Sequence, residues 1–88
     1  KELLFTESYP NEQQSCFITL TEFNTIQTNM TYEEIKNIVG CEGTLMSETE
    51  INEYTSKIYY WYGKDNISNA NFTFQNNKLI SKAQYGLR

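Results

Sequence analysis

The chain has 88 residues, which is enough for one domain with a small core. Hydrophobic residues make up 39% and charged residues 20%, a balance that fits a globular chain rather than a disordered one. The net charge of −4 combines −8 in residues 1–53 with +4 in residues 54–88. The basic half is too weakly charged to indicate nucleic-acid binding. No apolar run approaches the length of a membrane span.

An N-terminal extension is predicted over residues 1–17, ahead of a domain that spans residues 18–88. Leu3, Leu4 and Phe5 are apolar enough to form a short strand or to dock on the domain. Pro10 and the Asn that follows it indicate a turn. The remainder of the extension is polar and is interpreted as a linker.

Two helix-start signatures open the domain. Thr19 is followed three residues later by Glu22, and Thr31 by Glu34. Each pair is a capping box, in which the Thr hydroxyl accepts from a first-turn N–H and the Glu carboxylate accepts from the N–H of the Thr. The sequence therefore predicts two consecutive helices.

These helices are expected over residues 20–27 and 32–39. Asn29 tolerates the left-handed conformation that follows a helix, and Gly40 is a typical helix stop. Both helices are too short to be stable alone in water, so each needs a surface on which to bury its apolar stripe.

Four strands are expected to supply that surface, over residues 43–51, 54–62, 70–75 and 78–85. Asn76 and Asn77 fit a two-residue hairpin turn because Asn accepts positive φ. Helices followed by an antiparallel meander predict an α+β fold, with two short N-terminal helices on one face of a four-stranded antiparallel sheet.

One face of the sheet is expected to be covered by the helices and the other to be open. We expect the covered face to carry the side chains with the largest apolar area, Tyr59, Trp61, Phe72 and Phe74. Strict alternation then gives an open face that holds the candidate partner-binding residues Tyr60, Tyr62, Asn71, Thr73, Lys82 and Gln84. A one-residue slip of register would exchange the two faces.

Two cysteines flank the helical pair. Cys16 precedes the first helix and Cys41 follows the second, so antiparallel helices bring these ends together. The sequence therefore predicts a disulfide between them, which implies an oxidising compartment outside the cytosol. The alternative is two thiols that behave as small hydrophobic groups.

A resemblance to a known family begins with the stretch TLTEFNTIQTNMTYEEIKNIVGCEGT, which resembles the opening of the repeat in β-lactamase inhibitory protein (BLIP) and its relatives. The positions that carry it are Thr19, Leu20, Phe23, Asn24, Ile26, Met30, Thr31, Glu34, Ile35, Ile38 and Gly40. The segments YYWYG and ANFTFQNNKLISKAQ resemble strands of secreted Gram-positive lipoproteins of this type. The resemblance covers residues 18–87. Asn29 departs from the usual Gly, and Cys41 stands where relatives often have Gly or a polar residue.

This resemblance implies a non-catalytic, extracellular protein-recognition module whose open sheet face binds a protein partner, which in the inhibitors is a β-lactamase. Similar small domains occur in envelope lipoproteins of the SmpA/OmlA type, which implies a structural role as the alternative. The resemblance also implies a secreted or surface-anchored bacterial protein. Membrane contact is then expected only through an upstream lipid anchor that this chain does not contain.

No catalytic constellation is present in the sequence. The chain has no His, no glycine-rich phosphate loop and no metal-ligand spacing, so we expect no enzyme activity, no cofactor and no metal. The carboxylates of Glu48, Glu50 and Glu53 are interpreted as solvent-exposed. Two further uses of Tyr60 and Tyr62 stay open: a contact between two copies of the chain, and the binding of cell-wall glycan by stacked tyrosines.

Overall fold

The computed structural model describes residues 16–88. Two helices, α1 (Leu20–Thr25) and α2 (Tyr32–Val39), precede four strands: β1 (Thr44–Ile51), β2 (Tyr54–Tyr62), β3 (Asn69–Gln75) and β4 (Lys78–Tyr85). The strands form one antiparallel sheet in the order β1-β2-β3-β4. The predicted α+β fold is confirmed. The expected strand at residues 3–5, the turn at Pro10 and the linker that follows lie outside the described residues.

Both capping boxes are present at the helix starts. The Thr19 hydroxyl accepts from the Glu22 N–H at 3.1 Å, and the Thr19 N–H donates to the Glu22 carboxylate at 2.9 Å. Thr31 and Glu34 form the same pair of bonds, at 3.2 and 2.9 Å. These reciprocal bonds satisfy N–H groups that a helix start otherwise leaves without a partner.

The two helices end differently. Helix α2 stops at Gly40, whose φ of 98° is the left-handed conformation expected there. Helix α1 ends two residues earlier than predicted, because Ile26 turns to an extended conformation and buries its side chain in the core. Asn29 does adopt positive φ, at 78°, but it lies in the turn beyond the helix end.

The core lies between the helices and one face of the sheet. Phe23 of α1 contacts Phe72 at a centroid distance of 5.8 Å, and Tyr32 of α2 stacks on Tyr59 at 4.2 Å. The Trp61 indole N–H donates to the Cys41 carbonyl at 3.0 Å. The buried hydrophobic side chains are Ile18, Phe23, Ile26, Ile35, Val39, Trp61, Ala70, Phe72, Phe74, Leu79 and Leu87. The prediction that Tyr59, Trp61, Phe72 and Phe74 face the helices is confirmed.

A disulfide joins the two ends of the helical pair. Cys16 and Cys41 are bonded, with their Cα atoms 5.8 Å apart. This confirms the predicted bridge and shows that the free-thiol alternative is wrong. Such a bond fits an oxidising location outside the cytoplasm.

Each edge strand contains a β-bulge. On β1 the pairing skips Met46, and on β4 it skips Ile80, so each of these residues is an extra one in its strand. A bulge reverses the alternation of side chains beyond it. Leu79 and Lys82 therefore both face the helices, although one position is odd and the other even.

The predicted placement of Lys82 and Gln84 on the open face is wrong for this reason. The Lys82 ammonium lies under α1, where it donates to the carbonyls of Phe23 at 2.6 Å and Ile26 at 2.7 Å. The Gln84 side-chain carbonyl accepts from the N–H of Leu87, a core residue, at 2.9 Å.

Candidate partner-binding face of the sheet

The face of the sheet opposite the helices is uncovered by any other part of residues 16–88, and we call it the open face. The cross-strand pairing places Tyr60 opposite Asn71, and Tyr62 opposite Asn69. Across β4, Tyr85 pairs with Asn69 on the same side. The residues that the register places on this face are Thr44, Ser47, Thr49, Ile51, Tyr54, Ser56, Ile58, Tyr60, Tyr62, Asn69, Asn71, Thr73, Gln75, Lys78, Ser81, Ala83 and Tyr85. Met46, which has no partner in the register, lines a depression on the same face with Tyr60 and Tyr62.

Charge is almost absent from the open face. Lys78, at the start of β4, is the one charged residue that the strand register of residues 16–88 places on this side. The acids of β1 lie on the helix side, because Glu48 pairs with Lys57 and Glu50 with Thr55. The open face therefore presents hydroxyl, amide, aromatic and aliphatic groups.

A tyrosine patch, defined by Met46, Tyr60, Tyr62, Asn69 and Asn71, lies at one end of the open face. These five residues line a shallow depression of about 210 Å³. The rings of Tyr60 and Tyr62 meet edge to face, with centroids 5.3 Å apart and an interplanar angle of 84°. Tyr62 is 46% exposed and Met46 is 54% exposed. The patch thus combines apolar contact area with two side-chain amides.

Strand geometry explains how these side chains come together. Tyr60 and Tyr62 are two residues apart on β2 and so share a face, and Asn69 and Asn71 repeat that spacing on β3. Met46 joins them from β1 as the extra residue of a bulge.

Four of the six predicted binding residues lie on the open face, namely Tyr60, Tyr62, Asn71 and Thr73. The structure brings the first three together in the tyrosine patch, whereas Thr73 pairs with Ile58 and lies further along the strand. Their role in binding stays a prediction.

Met46, Asn69 and Tyr85 belong to the open face and are missing from the sequence-based set. Asn69 falls just outside the predicted third strand, which began one residue later. Tyr85 is assigned correctly only when the bulge on β4 is known, and that strand contains no Gly that would have indicated the bulge.

The edge-to-face arrangement also bears on the glycan hypothesis. The rings of Tyr60 and Tyr62 are nearly perpendicular, so this pair does not form a flat platform for a sugar ring. The stacked pair of tyrosines in residues 16–88 is instead Tyr32–Tyr59, on the helix side of the sheet, where the rings are inclined by 29°.

Within residues 16–88, no group of three or more His, Cys, Asp or Glu side chains is arranged to hold a metal ion. In the same part of the chain, neither helix has the length and apolar character needed to cross a membrane.

A protein-family model described as "Beta-lactamase inhibitor (BLIP)" matches residues 19–88. The chain belongs to this family. The match includes both helices and all four strands, and it covers nearly the same residues as the resemblance seen in the sequence. A search among curated proteins gave no match. The resemblance to SmpA/OmlA-type lipoproteins is not shown by the family match and stays a hypothesis.

The family and the geometry agree on one general conclusion. Membership of a family named for an inhibitor indicates a protein-binding role. The open face is a regular surface that no other part of residues 16–88 covers.

Proposed function

We propose that the domain is a non-catalytic recognition module that binds a protein partner through its open face, and that a β-lactamase is the first partner class to test. The observation that carries the proposal is the nearly uncharged composition of this face. The centres of protein interfaces are depleted of charged residues and enriched in Tyr and Met. Tyr, Ser and Asn, which are frequent here, are also the residues that antibodies use for contact.

The tyrosine patch is the proposed anchor of the interface. Binding free energy usually concentrates in a few residues, among which Tyr is enriched. Because the rings of Tyr60 and Tyr62 already pack against each other at 5.3 Å, ordering them on binding loses less side-chain entropy than ordering two isolated tyrosines. Asn69 and Asn71 supply amide donors and acceptors beside the rings.

Location outside the cytoplasm is part of the same proposal. Disulfides such as Cys16–Cys41 persist in oxidising compartments and are rare in the cytosol. We propose that the protein is secreted or anchored at a bacterial cell surface, where secreted β-lactamases would be accessible to it.

A β-lactamase inhibition assay tests the proposal directly. The full chain is added to a panel of purified β-lactamases, and hydrolysis of a chromogenic cephalosporin is followed. Binding is measured in parallel with immobilised enzyme. We expect the wild-type chain to bind at least one enzyme, and the double variant Tyr60→Ala/Tyr62→Ala to bind it at least about tenfold more weakly.

Tyr54→Ala is the matched control. Tyr54 lies on the same strand and the same face and is 57% exposed, but it is eight residues from Tyr62. At about 3.3 Å per residue the two are roughly 26 Å apart, so Tyr54 lies outside the patch. Equal losses from Tyr54→Ala and the double variant would contradict the tyrosine patch as anchor. Full inhibition by the double variant would contradict the open face as the binding surface.

A further inference from the structure

A second recess lies on the helix side of the sheet, where α2 approaches the β3–β4 turn. Its volume is about 400 Å³, within the range of about 300–1,000 Å³ that is common for small-molecule sites. We call it the aromatic recess, and it is lined by Tyr32, Glu33, Thr55, Lys57, Tyr59, Phe74, Asn76 and Asn77. It is separated from the open face by the sheet itself.

Three aromatic rings form one wall of the recess. Tyr32 stacks on Tyr59 at 4.2 Å, and Phe74 meets Tyr59 edge-on at 5.9 Å. Tyr32 is held at both ends, because its hydroxyl accepts from the Gly43 N–H at 3.2 Å and its own N–H donates to the Asn77 side chain at 3.3 Å. The wall is therefore fixed before any ligand arrives.

Polar groups of both kinds converge beside this wall. The Asn76 side-chain carbonyl accepts from the Thr55 N–H at 2.9 Å, and Asn77 donates to one Glu33 carboxylate oxygen at 3.2 Å. Within residues 16–88, the hydroxyls of Thr55 and Tyr59 form no hydrogen bond, and the side-chain N–H₂ of Asn76 forms none either. The Lys57 ammonium likewise donates no hydrogen bond to these residues. Donors and acceptors are thus both available to a ligand.

The two charged residues that line the recess, Glu33 and Lys57, have opposite signs. The pKa of Glu33 is lowered, first by the hydrogen bond from Asn77, next by its own backbone N–H and to a smaller extent by Lys36 and Lys57, so its carboxylate stays ionised at neutral pH. Lys57 lines the same recess with the opposite charge. A strongly charged ligand such as a phosphate or a polyamine gains little from a lining that carries one charge of each sign.

We propose that the aromatic recess binds one or two sugar units of a glycan. A pyranose ring has an apolar C–H face that packs on aromatic rings, and a rim of hydroxyls that both donate and accept hydrogen bonds. The recess offers an aromatic wall, donors and acceptors in one place, and a neutral balance of charge. This site is independent of the open face, so a glycan and a protein partner can be held on opposite sides of one domain.

Titration of the ¹⁵N-labelled full chain tests the proposal. The probes are the disaccharide of N-acetylglucosamine and cellobiose, with alanine as a zwitterionic probe and inorganic phosphate as an anionic one. We expect millimolar disaccharide to shift the amide signals of Tyr32, Thr55 and Asn76. The amide signals of Tyr60, Tyr62 and Asn71 are expected to stay in place.

Two pairs of variants connect the shifts to the recess. Tyr59→Leu removes part of the aromatic wall, and Tyr60→Leu is the same change on the opposite face. Thr55→Val removes one unpaired hydroxyl, and Thr49→Val is its match on the open face of β1. We expect Tyr59→Leu to weaken disaccharide binding by at least about tenfold and Thr55→Val by about three- to tenfold, with both controls unchanged. Thr55→Val keeps the test decisive if Tyr59→Leu fails to fold.

Several results would overturn the proposal. One is the absence of shifts with either disaccharide at millimolar concentration. Another is a set of shifts confined to the open face. A stronger response to alanine or phosphate than to both disaccharides would show that the recess is selective for charge rather than for sugar. Because β-lactamase binding is measured separately through the open face, failure here leaves the proposed function standing.

Discussion

Loss of the Cys16–Cys41 bridge is expected to remove a large part of the stability of this domain. The bridge closes a loop with a sequence separation of 25 residues, and that loop contains both helices. In the chain-entropy relation, a loop of that length contributes about 3.5 kcal/mol at 25 °C. Native domains are stable by only about 5–15 kcal/mol, and small domains lie at the lower end. The bridge therefore contributes about half of the free energy of unfolding that is expected for a domain of this size.

The melting temperature converts this free energy into a measurable quantity. For domains of about 60–100 residues, 1 kcal/mol shifts the melting temperature by about 4–8 °C. We expect the double variant Cys16→Ser/Cys41→Ser to melt about 15–25 °C below the wild type. The measurement is thermal and urea unfolding followed by far-ultraviolet circular dichroism. The wild-type chain in reductant is the matched control, because it lacks the bond but keeps the sulfur atoms.

Agreement between the reduced wild type and the double variant would attribute the loss to the bond itself. The urea m-value should also rise, since an unfolded chain without the cross-link exposes more surface. A folded double variant that loses less than about 1 kcal/mol would refute the reasoning. It would show that residual structure restricts the unfolded chain even without the bond.

Three further predictions follow from the sheet and its turns. Lys82→Met removes both hydrogen bonds to the end of α1 and should lower the free energy of unfolding by about 1–3 kcal/mol in urea titrations, whereas the exposed control Lys78→Met should change it by less than about 0.5 kcal/mol. Asp65 has its pKa lowered from 3.8 to about 2 by hydrogen bonds from Ser68, so its stabilising effect is lost as the pH falls through that interval. Melting temperatures at several pH values should lose this dependence in Asp65→Asn. Deletion of Ile80 should leave a folded domain by circular dichroism, because the extra residue of the bulge is removed and the facing of β4 is kept. Deletion of Ala83, which reverses the facing of the strand end, should unfold it; equal tolerance of both deletions would contradict the register.

Local chemistry explains why so much of the fold was predictable. The two Thr–Glu boxes act over three residues, and Gly40 ends its helix by a conformation that other residues avoid, so α2 was predicted residue by residue. Asn76 and Asn77 have φ values of 51° and 64°, and this turn defines the ends of the strands on each side of it. Strand β3 accordingly ends and β4 begins at the predicted residues, and β2 also has its predicted bounds.

The end of α1 was less predictable because it depends on a distant contact. The N–H of Ile26 bonds to the carbonyls of both Glu22 and Phe23, which tightens the last turn. The side chain of Ile26 then enters the core at 1% exposure. No local signal in the sequence marks this end of α1, since the residues that follow Ile26 are compatible with another turn of helix.

The side of the sheet to which each side chain of the two edge strands points was unpredictable for a related reason. A bulge is selected by the twist and pairing of the whole sheet, and Met46 and Ile80 are ordinary strand residues by composition. Strict alternation from Leu79 assigns Ser81 and Ala83 to the helices and Lys82 and Gln84 to the open face. The observed pairing assigns each to the opposite side.

The two bulges together account for the lack of charge on the open face. If β1 had no bulge and its present residues alternated strictly from Leu45, Glu48 and Glu50 would turn toward the open face. Strict alternation of the present residues of β4 from Leu79 would add Lys82 to them. The same irregularities thus move three charges to the helix side, where Lys82 binds the end of α1. The surface composition that supports protein recognition is therefore a consequence of edge-strand geometry.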